Sequence, residues 1–290
     1  MILTGVLLIA FGKRGYGLMT RNLVSSLLHY APDLNIVVYA TPELIPIIGS
    51  EGITAIHTLK PEHWQRMGGG QIDPSQAKTQ IYRLGVEAGM TKFLYLDVDA
   101  LALADVQPWL SAMDGSQVCT EVIAKGNRGD RINYLIWSSQ DSLFEQFNIP
   151  LNNTVCATQT SWIYFEKGEV CEAVQDHLDW HMAKRFPPHL LTHQWGVHGT
   201  MPDELLYTGV FGKLGIIPTA PKLDRNPIFF GNKNAKASEK DVTDKYYLLS
   251  LYGNSNLTVK RWQKLYDIKA SQLGLKARSR EIMQDKFANG

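Results

Sequence analysis

Residues 1–100 alternate short, continuous apolar runs with longer segments that have helical spacing. Continuous apolar runs predict strands that are covered on both faces, which is typical of parallel sheets. Parallel strands also need long crossover connections, and the helical segments between the runs supply them. The alternation therefore predicts an α/β fold, in which a sheet is flanked by helices.

The boundaries of these elements follow from turn residues and from helix-capping residues. The predicted strands in this region are Val6–Phe11, Asn35–Ala40, Ile53–Leu59 and Lys92–Leu96, and the predicted helices are Leu18–Tyr30 and Ser75–Ala88. The predicted glycine-rich turns and loops are Gly12–Gly17 and Gly68–Gly70. Later in the chain, the predicted strands are Asn152–Thr158 and Trp162–Phe165, and the predicted helices are Glu169–Arg185 and Pro202–Gly212.

Composition excludes several classes of protein. With 29 Lys and Arg against 28 Asp and Glu, the chain is not a purely electrostatic nucleic-acid binder. Its 44% hydrophobic content excludes a largely disordered protein. The three cysteines form no Cys-x-x-Cys pair, which predicts buried, reduced thiols and a cytoplasmic protein. No apolar stretch is long enough for a transmembrane segment, and the apolar N-terminus lacks the basic region of a signal peptide.

The most informative stretch for chemistry is the apolar run Phe93–Leu96, which leads directly into Asp97-Val98-Asp99. Residues i and i+2 of a strand point to the same side, and open α/β sheets bind ligands at the carboxyl ends of their strands. Two neighbouring carboxylates repel each other unless a cation lies between them. A divalent cation with oxygen ligands, which also holds phosphates, satisfies this requirement. The pattern therefore predicts a site for Mn²⁺ or Mg²⁺ at Asp97 and Asp99, while the simpler alternative is that both residues cap a turn.

The segment Lys78–Leu103, with its Tyr82-Arg83-Leu84 and its Asp97-x-Asp99, resembles the core of GT-A-fold glycosyltransferases. It is most similar to the glycogenin-like, family 8-like group. The resemblance implies a GT-A type α/β fold: a single Rossmann-like mixed sheet flanked by helices, with a C-terminal extension on the acceptor side. It also implies metal-dependent transfer of a sugar from a nucleotide-sugar, with a UDP-sugar as the expected donor. The acceptor is left open between a glycan, a lipid-linked glycan and a nucleic acid.

The resemblance also implies roles for individual residues. Asp97 and Asp99 fall on the metal-binding positions, and Asp97 also touches the donor. The expected donor contacts are Lys78 or Arg83 on the preceding helix, together with Phe11, Gly12, Lys13 and Tyr16 after the first strand. Asp203 and Glu204 are the candidate catalytic residues, since either can orient the acceptor or stabilise an oxocarbenium-like state. Because acidic residues also favour the first turn of a helix, simple capping by Asp203 is the alternative.

The sequence departs from the family pattern at two places. The position of the family's late histidine, a metal ligand, holds Ser250 in Ser250-Leu251-Tyr252-Gly253, so the third ligand stays open, with His189, His193 or His198 as candidates. In addition, Asn152-Asn153-Thr154 stands where the family has Asn-x-Gly, which leaves a retaining or an inverting mechanism open. A separate zinc site at His177 and His181, four residues apart on a helix, is a weaker hypothesis than ordinary core or solvated histidines.

The resemblance and the charge distribution suggest three regions. Residues 1–110 form the expected nucleotide-sugar-binding half, residues 111–259 the acceptor-binding and catalytic half, and residues 260–290 a basic helical extension. The extension carries eight Lys and Arg against three Asp and Glu. Its basic residues alternate with Trp262 and Tyr266, which predicts contact with a polyanionic acceptor, either a nucleic acid or an anionic, membrane-associated glycan. The alternative is a solvated helix that docks its aromatic residues on the protein.

Two other functions fit the same aspartates. A haloacid-dehalogenase-type phosphatase would use Asp97 as nucleophile, Asp99 as acid–base and Asp241 with Asp244 as metal ligands. Such enzymes usually carry the motif at the start of the chain, whereas about ninety residues precede it here. A binding module for sugar nucleotides that has lost turnover is the third possibility. Release of nucleotide, release of phosphate from a monoester, or neither, distinguishes the three.

Overall fold

The computed structural model describes residues 3–63, 74–128, 140–182, 203–231, 236–251, 260–275 and 277–282. The predicted loop Gly68–Gly70, the alternative metal ligands His189, His193 and His198, and the residues Tyr252 and Gly253 lie outside these ranges.

Strands and helices of the described residues follow one another in an α/β order. The strands are β1 (Leu3–Ala10), β2 (Ile36–Ala40), β3 (Ala55–Thr58), β4 (Met90–Leu96), β5 (Ala100–Ala102), β6 (Val118–Gly126), β7 (Val155–Glu166), β8 (Asn226–Phe230) and β9 (Tyr246–Ser250). The α-helices are α1 (Arg14–Tyr30), α2 (Ile45–Ile48), α3 (Ile81–Glu87), α4 (Gln107–Ala112), α5 (Gln140–Phe147), α6 (Glu169–Met182), α7 (Asp203–Leu214), α8 (Glu239–Lys245) and α9 (Lys260–Gln272). Short 3₁₀ helices span Pro61–His63 and Pro74–Gln80.

Two compact units make up the chain. The first consists of Met1–Leu3, Lys60–Tyr95 and Asp114–Ala220, and the second of Thr4–Leu59, Leu96–Met113 and Pro221–Gly290. Parallel and antiparallel strand pairs both occur and are flanked by helices, so the predicted mixed α/β fold is confirmed. The division into functional regions at residues 110 and 259 stays a prediction.

The first unit contains β4, β7 and β6 in that order, with β6 antiparallel to β7. Helix α7 packs on β7, and α6 packs on α7. Their core is aromatic, since the rings of Phe93, Phe165 and Tyr207 are fully buried and in contact through Phe165. The sequence predicts two strands in this region, and this prediction is wrong because β7 is one strand. A break in its pairing with β6 interrupts the pattern in the middle.

In the second unit, β1, β2 and β3 pair in parallel, as the sequence predicts, and they lie in the order β3-β2-β1. The strands β5, β9 and β8 form a separate three-stranded sheet, which the sequence analysis did not predict. β5 runs antiparallel to β9, and β8 runs parallel to it. Trp262 and Tyr266 of α9 are buried in the core beside α1 and this small sheet.

Two local predictions need correction. The predicted turn Gly12–Gly17 ends earlier, because α1 already begins at Arg14. Of the glycines in this segment, Gly12 alone has the positive φ of a turn glycine, at 91°. Gly17 is buried within α1, and a Cβ atom there would lie 3.0 Å from Ile47, so a larger residue would require Ile47 to shift by a few tenths of an ångström.

The second correction concerns the predicted helix Ser75–Ala88. Its first half is the 3₁₀ helix Pro74–Gln80, and only its second half is the α-helix α3. Ala77, Ile81 and Leu84 are buried, as the spacing predicts. Both helix types bring residues three or four apart onto one face, so apolar spacing alone does not distinguish them.

Three further expectations concern cysteines and membranes. Cys119, Cys156 and Cys171 are buried and form no disulfide, as the sequence predicts. Burial is the main reason that the pKa of Cys171 is raised to about 12, so this thiol stays protonated near neutral pH. In the part of the chain that the structure describes, none of the helices combines the length and the apolar character that crossing a membrane requires.

Candidate functional site

Asp97 and Asp99 lie in the short loop between β4 and β5, and both are half-buried. The Asp99 carbonyl accepts a hydrogen bond of 2.8 Å from the amide of Leu251. Its carboxylate oxygen Oδ1 lies 3.4 Å from the Ser250 hydroxyl, which can donate to it. Pairing of β5 with β9 sets this contact, since Ala100 lies opposite Ser250. The structure therefore places Ser250 beside Asp99.

These side chains offer oxygen atoms alone: two carboxylates and one hydroxyl. Oxygen ligands suit Mg²⁺ and Mn²⁺, and Mg²⁺ is commonly held by one or two carboxylates together with substrate phosphates. Among the described residues, no group of three or more His, Cys, Asp and Glu side chains lies together. Two carboxylates and a hydroxyl match the oxygen ligands that these cations prefer.

The predicted zinc pair has a different environment. His181 is buried, and its ring lies 4.3 Å from the ring of Phe147 and 4.6 Å from that of Trp180, measured between centroids. These contacts are those of a core histidine, and the described residues include no metal cluster around it or around His177. The hypothesis of a zinc site is therefore not supported.

The predicted donor loop connects β1 to α1. The rings of Phe11 and Tyr16 lie nearly parallel, with centroids 6.3 Å apart, and both residues are half-buried. Gly12 and Lys13 are exposed, and Lys13 occupies the position that precedes the first turn of α1. The backbone amides at the start of a helix favour anions. The loop therefore joins aromatic surface to groups that attract phosphate.

In the first unit, the structure brings two predicted residues together. The Lys78 ammonium lies 3.2 Å from Oδ2 of Asp203, and their side chains are 16% and 21% exposed. The hydroxyl of Thr160, on β7, donates to the same oxygen over 2.5 Å. Asp203 also lies in the first turn of α7, where the helix dipole favours a negative charge. Three independent features thus stabilise one partly buried carboxylate. Glu204 follows it and is half-buried.

Tyr207 fixes the backbone that carries Lys78. Its hydroxyl donates to the Lys78 carbonyl over 3.0 Å, and its side chain is fully buried. Burial, with a further contribution from the negative charge of Asp203, holds the pKa of Tyr207 well above its ordinary value. The phenol therefore stays neutral and keeps its proton for this hydrogen bond. In addition, the Lys78 ammonium lies 5.9 Å from the centroid of the Tyr95 ring.

Arg83 takes part in a different network. Its guanidinium contacts the Asp179 carboxylate on α6 and donates to the Gln80 side chain over 2.8 Å. The amides of Gln80 and Gln175 also donate to Asp179, each over 2.9 Å. Asp179 therefore connects the 3₁₀ helix Pro74–Gln80, α3 and α6. This gives Arg83 a structural role, and its contact with a donor stays a prediction.

Thr160 and Asp179 are absent from the sequence-based predictions. A signal was available for Thr160, because Thr158 and Thr160 interrupt an apolar strand with hydroxyls two residues apart, a spacing that usually places side chains on one face. Asp179 has no comparable signal, since an acidic residue in an amphipathic helix is ordinarily solvated.

The late aspartates of the phosphatase hypothesis have structural roles. Asp241 forms a capping box with Ser238 at the start of α8 and an ion pair of 2.6 Å with Lys245, which is the main reason that its pKa is lowered. Asp244 pairs with Lys240 on the same helix. Their partners are those of an exposed, capped helix, and the phosphatase alternative is not favoured.

Trp262 and Tyr266 of the basic extension are inaccessible to a ligand. Trp262 and Tyr266 are 1% and 0% exposed, so the hypothesis that they stack on bases or enter a membrane is wrong. They lie four residues apart on α9 and form its buried face. Lys260, Arg261 and Lys264 remain exposed on that helix.

Comparison with known proteins identifies the fold. No family model matches the sequence, and the search of curated proteins finds no significant match. Solved structures do match. The bifunctional glycosyltransferase WbbM superposes with a TM-score of 0.61 at 13% identity, over 97% of this chain and 51% of that one. The galactosyltransferase LgtC, in complex with donor and acceptor sugar analogues, gives a TM-score of 0.51 at 12% identity, over 98% of this chain and 100% of LgtC.

The chain has a GT-A glycosyltransferase fold. Mouse xyloside xylosyltransferase 1 also matches, with a TM-score of 0.50 at 11% identity, over 89% of this chain and 100% of that one. The chain spans about half the length of WbbM. At these identities the likeness establishes the GT-A fold that the sequence predicts, and function has to be argued from the residues.

The Asp179 network makes a testable contribution to stability. Replacing Asp179 with alanine leaves the buried amides of Gln80 and Gln175 without this acceptor, which should cost about 2–3 kcal/mol. Urea denaturation monitored by circular dichroism measures the loss. Asp176→Ala is the matched control, since Asp176 is exposed on the same helix and should change stability by less than about 0.5 kcal/mol. Equal effects of the two variants would contradict the role of Asp179.

Proposed function

We propose that the protein is a glycosyltransferase that moves a sugar from a nucleotide-sugar to an acceptor. The observation that carries the proposal is the Asp97-x-Asp99 pair, which directly follows the buried strand β4 in a chain with a GT-A fold. Among the neighbours, LgtC is described as a complex with donor and acceptor sugar analogues. A sugar donor and an acceptor are also the two substrates that the proposed reaction requires.

In this proposal, residues 1–110 bind the nucleotide, residues 111–259 carry the acceptor side and residues 260–290 form a basic extension. Phe11 and Tyr16 supply aromatic surface for a base, and Gly12 and Lys13 supply backbone and charge for phosphate. Uridine diphosphate is the expected nucleotide. The three buried thiols fit a reducing, cytoplasmic environment.

Asp97 and Asp99 would hold Mn²⁺ or Mg²⁺, and Ser250 helps to orient Asp99. When bound, the cation supplies positive charge to the diphosphate of the donor and of the leaving group. Hydroxyl and carboxylate oxygens bind hard cations such as Mn²⁺ and Mg²⁺ more readily than they bind soft cations.

Asp203 is the proposed catalytic carboxylate. Cleavage of the sugar–phosphate bond develops positive charge at the anomeric carbon, and a fixed carboxylate stabilises that charge. Lys78 places a positive charge 3.2 Å from Oδ2 of Asp203 and is, in this proposal, the cation that assists the departing phosphate. Glu204 is the second candidate and would orient the acceptor hydroxyl.

Metal dependence tests the central assignment. We expect UDP with Mn²⁺ to raise the melting temperature and a chelator to abolish the effect. Asp99→Asn should lower the rate of donor turnover by more than about tenfold, because a ligand is lost. Asp33→Asn, an identical change at an exposed loop position of the same unit, should leave both properties unchanged. If the chelator alters neither binding nor rate, the metal assignment is wrong.

The choice of donor is tested by a panel of nucleotides. Thermal shift in Mn²⁺ should show the largest stabilisation with UDP or a UDP-sugar, compared with guanosine, cytidine and adenosine diphosphates. Release of UDP from UDP-sugars would then establish turnover. A preference for another base would overturn the uridine assignment. Nucleotide binding without turnover of any sugar donor would favour the binding module.

Because Trp262 and Tyr266 are buried, the proposal of a polyanionic acceptor is based on the positive charge of α9. Exposed Lys260, Arg261 and Lys264 favour a polyanionic acceptor, whose binding should weaken steeply with salt because bound counterions are released. Affinity for a single-stranded RNA and for vesicles of anionic lipid is measured at several salt concentrations. Lys264→Glu should weaken binding several-fold, whereas Lys222→Glu, at another exposed site, should have less effect. If neither probe binds at low salt, the acceptor is not polyanionic.

A further inference from the structure

The pairing of β6 with β7 contains a large bulge. Thr120 lies opposite Ile163, and its neighbour Glu121 lies opposite Gln159. Thr160, Ser161 and Trp162 therefore have no opposite residue on β6. An ordinary bulge inserts one residue, and bulges redirect side chains beside functional sites.

The base of this bulge is closed by one buried side chain. The Thr120 hydroxyl lies 2.8 Å from the carbonyl of Gln159, which precedes the three unpaired residues, and 2.9 Å from that of Trp162, the last of them. Its single proton serves both carbonyls. Thr120 is fully buried, so this contact holds the bulge in a fixed shape away from solvent.

The bulge brings Thr160 to the start of α7. Thr160 is 1% exposed and donates to Oδ2 of Asp203. Two residues earlier, Thr158 contacts Thr208 on the same helix, with 3.2 Å between the hydroxyl oxygens. β7 and α7 are thus joined at two points, each through a threonine of β7. Of these two threonines, only Thr160 contacts Asp203.

Lys78 and Thr160 act differently on Asp203. An ammonium is a compact charge on a flexible chain, so it stabilises the carboxylate without fixing its direction. A threonine on a strand has a restricted χ1 and a directional O–H donor. Because both contacts are made to Oδ2, together they fix the rotation of the carboxylate and hence the direction of Oδ1.

We propose that Thr160 is a positioning residue for catalysis, and that the Thr120-closed bulge of β7 places its hydroxyl against Asp203. The inference rests on the proposed function, in which Asp203 faces the charge that develops on the sugar. Fixing Oδ1 before the reaction avoids reorientation of the carboxylate during it, which is the advantage of a preorganised site.

The test compares Thr160→Val with Thr160→Ser and with Thr158→Val in hydrolysis of the UDP-sugar that the panel selects. Thr160→Val should lower kcat by about tenfold, the effect of one hydrogen bond to a charged group, with KM changed by less than about twofold. Thr160→Ser should restore most of kcat. Thr158→Val removes an equivalent hydroxyl between the same strand and helix, and it should leave kcat nearly unchanged. Equal losses in both valine variants would overturn the proposal.

A second comparison asks whether Thr160 acts through Asp203. In an Asp203→Asn background, Thr160→Val should cause little further loss of kcat, because the group that it positions is already altered. A full tenfold loss in that background would contradict positioning. Melting temperatures of the single variants report the structural cost separately.

Failure of the proposed function can be recognised separately, because the wild-type protein would then turn over no sugar donor. The crystal structure of Thr160→Val decides the positioning question in that case. The proposal expects the Asp203 carboxylate to rotate away from its 3.2 Å contact with Lys78. A carboxylate that stays in place would overturn it.

Discussion

The first unit is organised by the need to compensate carboxylates that are only partly exposed to water. Asp203 and Asp179 are 21% and 30% exposed, and each receives a cation together with neutral hydrogen-bond donors. Removing one partner of such a pair is costly, because the remaining charge cannot recover its hydration. Lys78 and Arg83 meet this need from a single segment of the chain. The 3₁₀ helix and α3 therefore have to pack against α7 and α6, and they do so.

In the second unit, the corresponding constraint is a strand pairing, which determines where the loop of Asp97 and Asp99 lies. Antiparallel pairing of β5 with β9 places Ser250 beside the loop of Asp97 and Asp99. The core behind it is built by α1 and by the buried face of α9, including Trp262 and Tyr266. The aromatic residues that looked suited to ligand stacking thus support the sheet from which the Asp99 contact comes.

Periodicity in the sequence predicts the strands β1 to β4, the helices α1, α6 and α7, and the position of Asp97 and Asp99 after a buried strand. It does not predict the strands β5, β6, β8 and β9. It does not predict which distant residues meet. Lys78 and Asp203 are 125 positions apart, and Asp99 and Ser250 are 151 positions apart, so tertiary packing alone brings them together. The bulge in β7 is equally hidden, because the sequence predicts a gap between two strands at residues 159–161, which overlaps the three unpaired residues. On α9, the spacing of Trp262, Leu265 and Tyr266 already matched the buried face of an amphipathic helix, and their burial confirms the docking alternative.

Structural matches at 11–13% identity indicate that very different sequences satisfy the packing requirements of a GT-A fold. Many different apolar residues of suitable size can fill a core, so apolar strands and helical spacing can be kept while the sequence changes. In the proposed reaction, Asp97, Asp99, Asp203 and Thr160 are not interchangeable with other residues in this way, because each would contribute a particular oxygen atom in a particular direction. A fold supports many functions, so these few oxygen atoms carry the argument for glycosyl transfer, and the surrounding core determines where they lie.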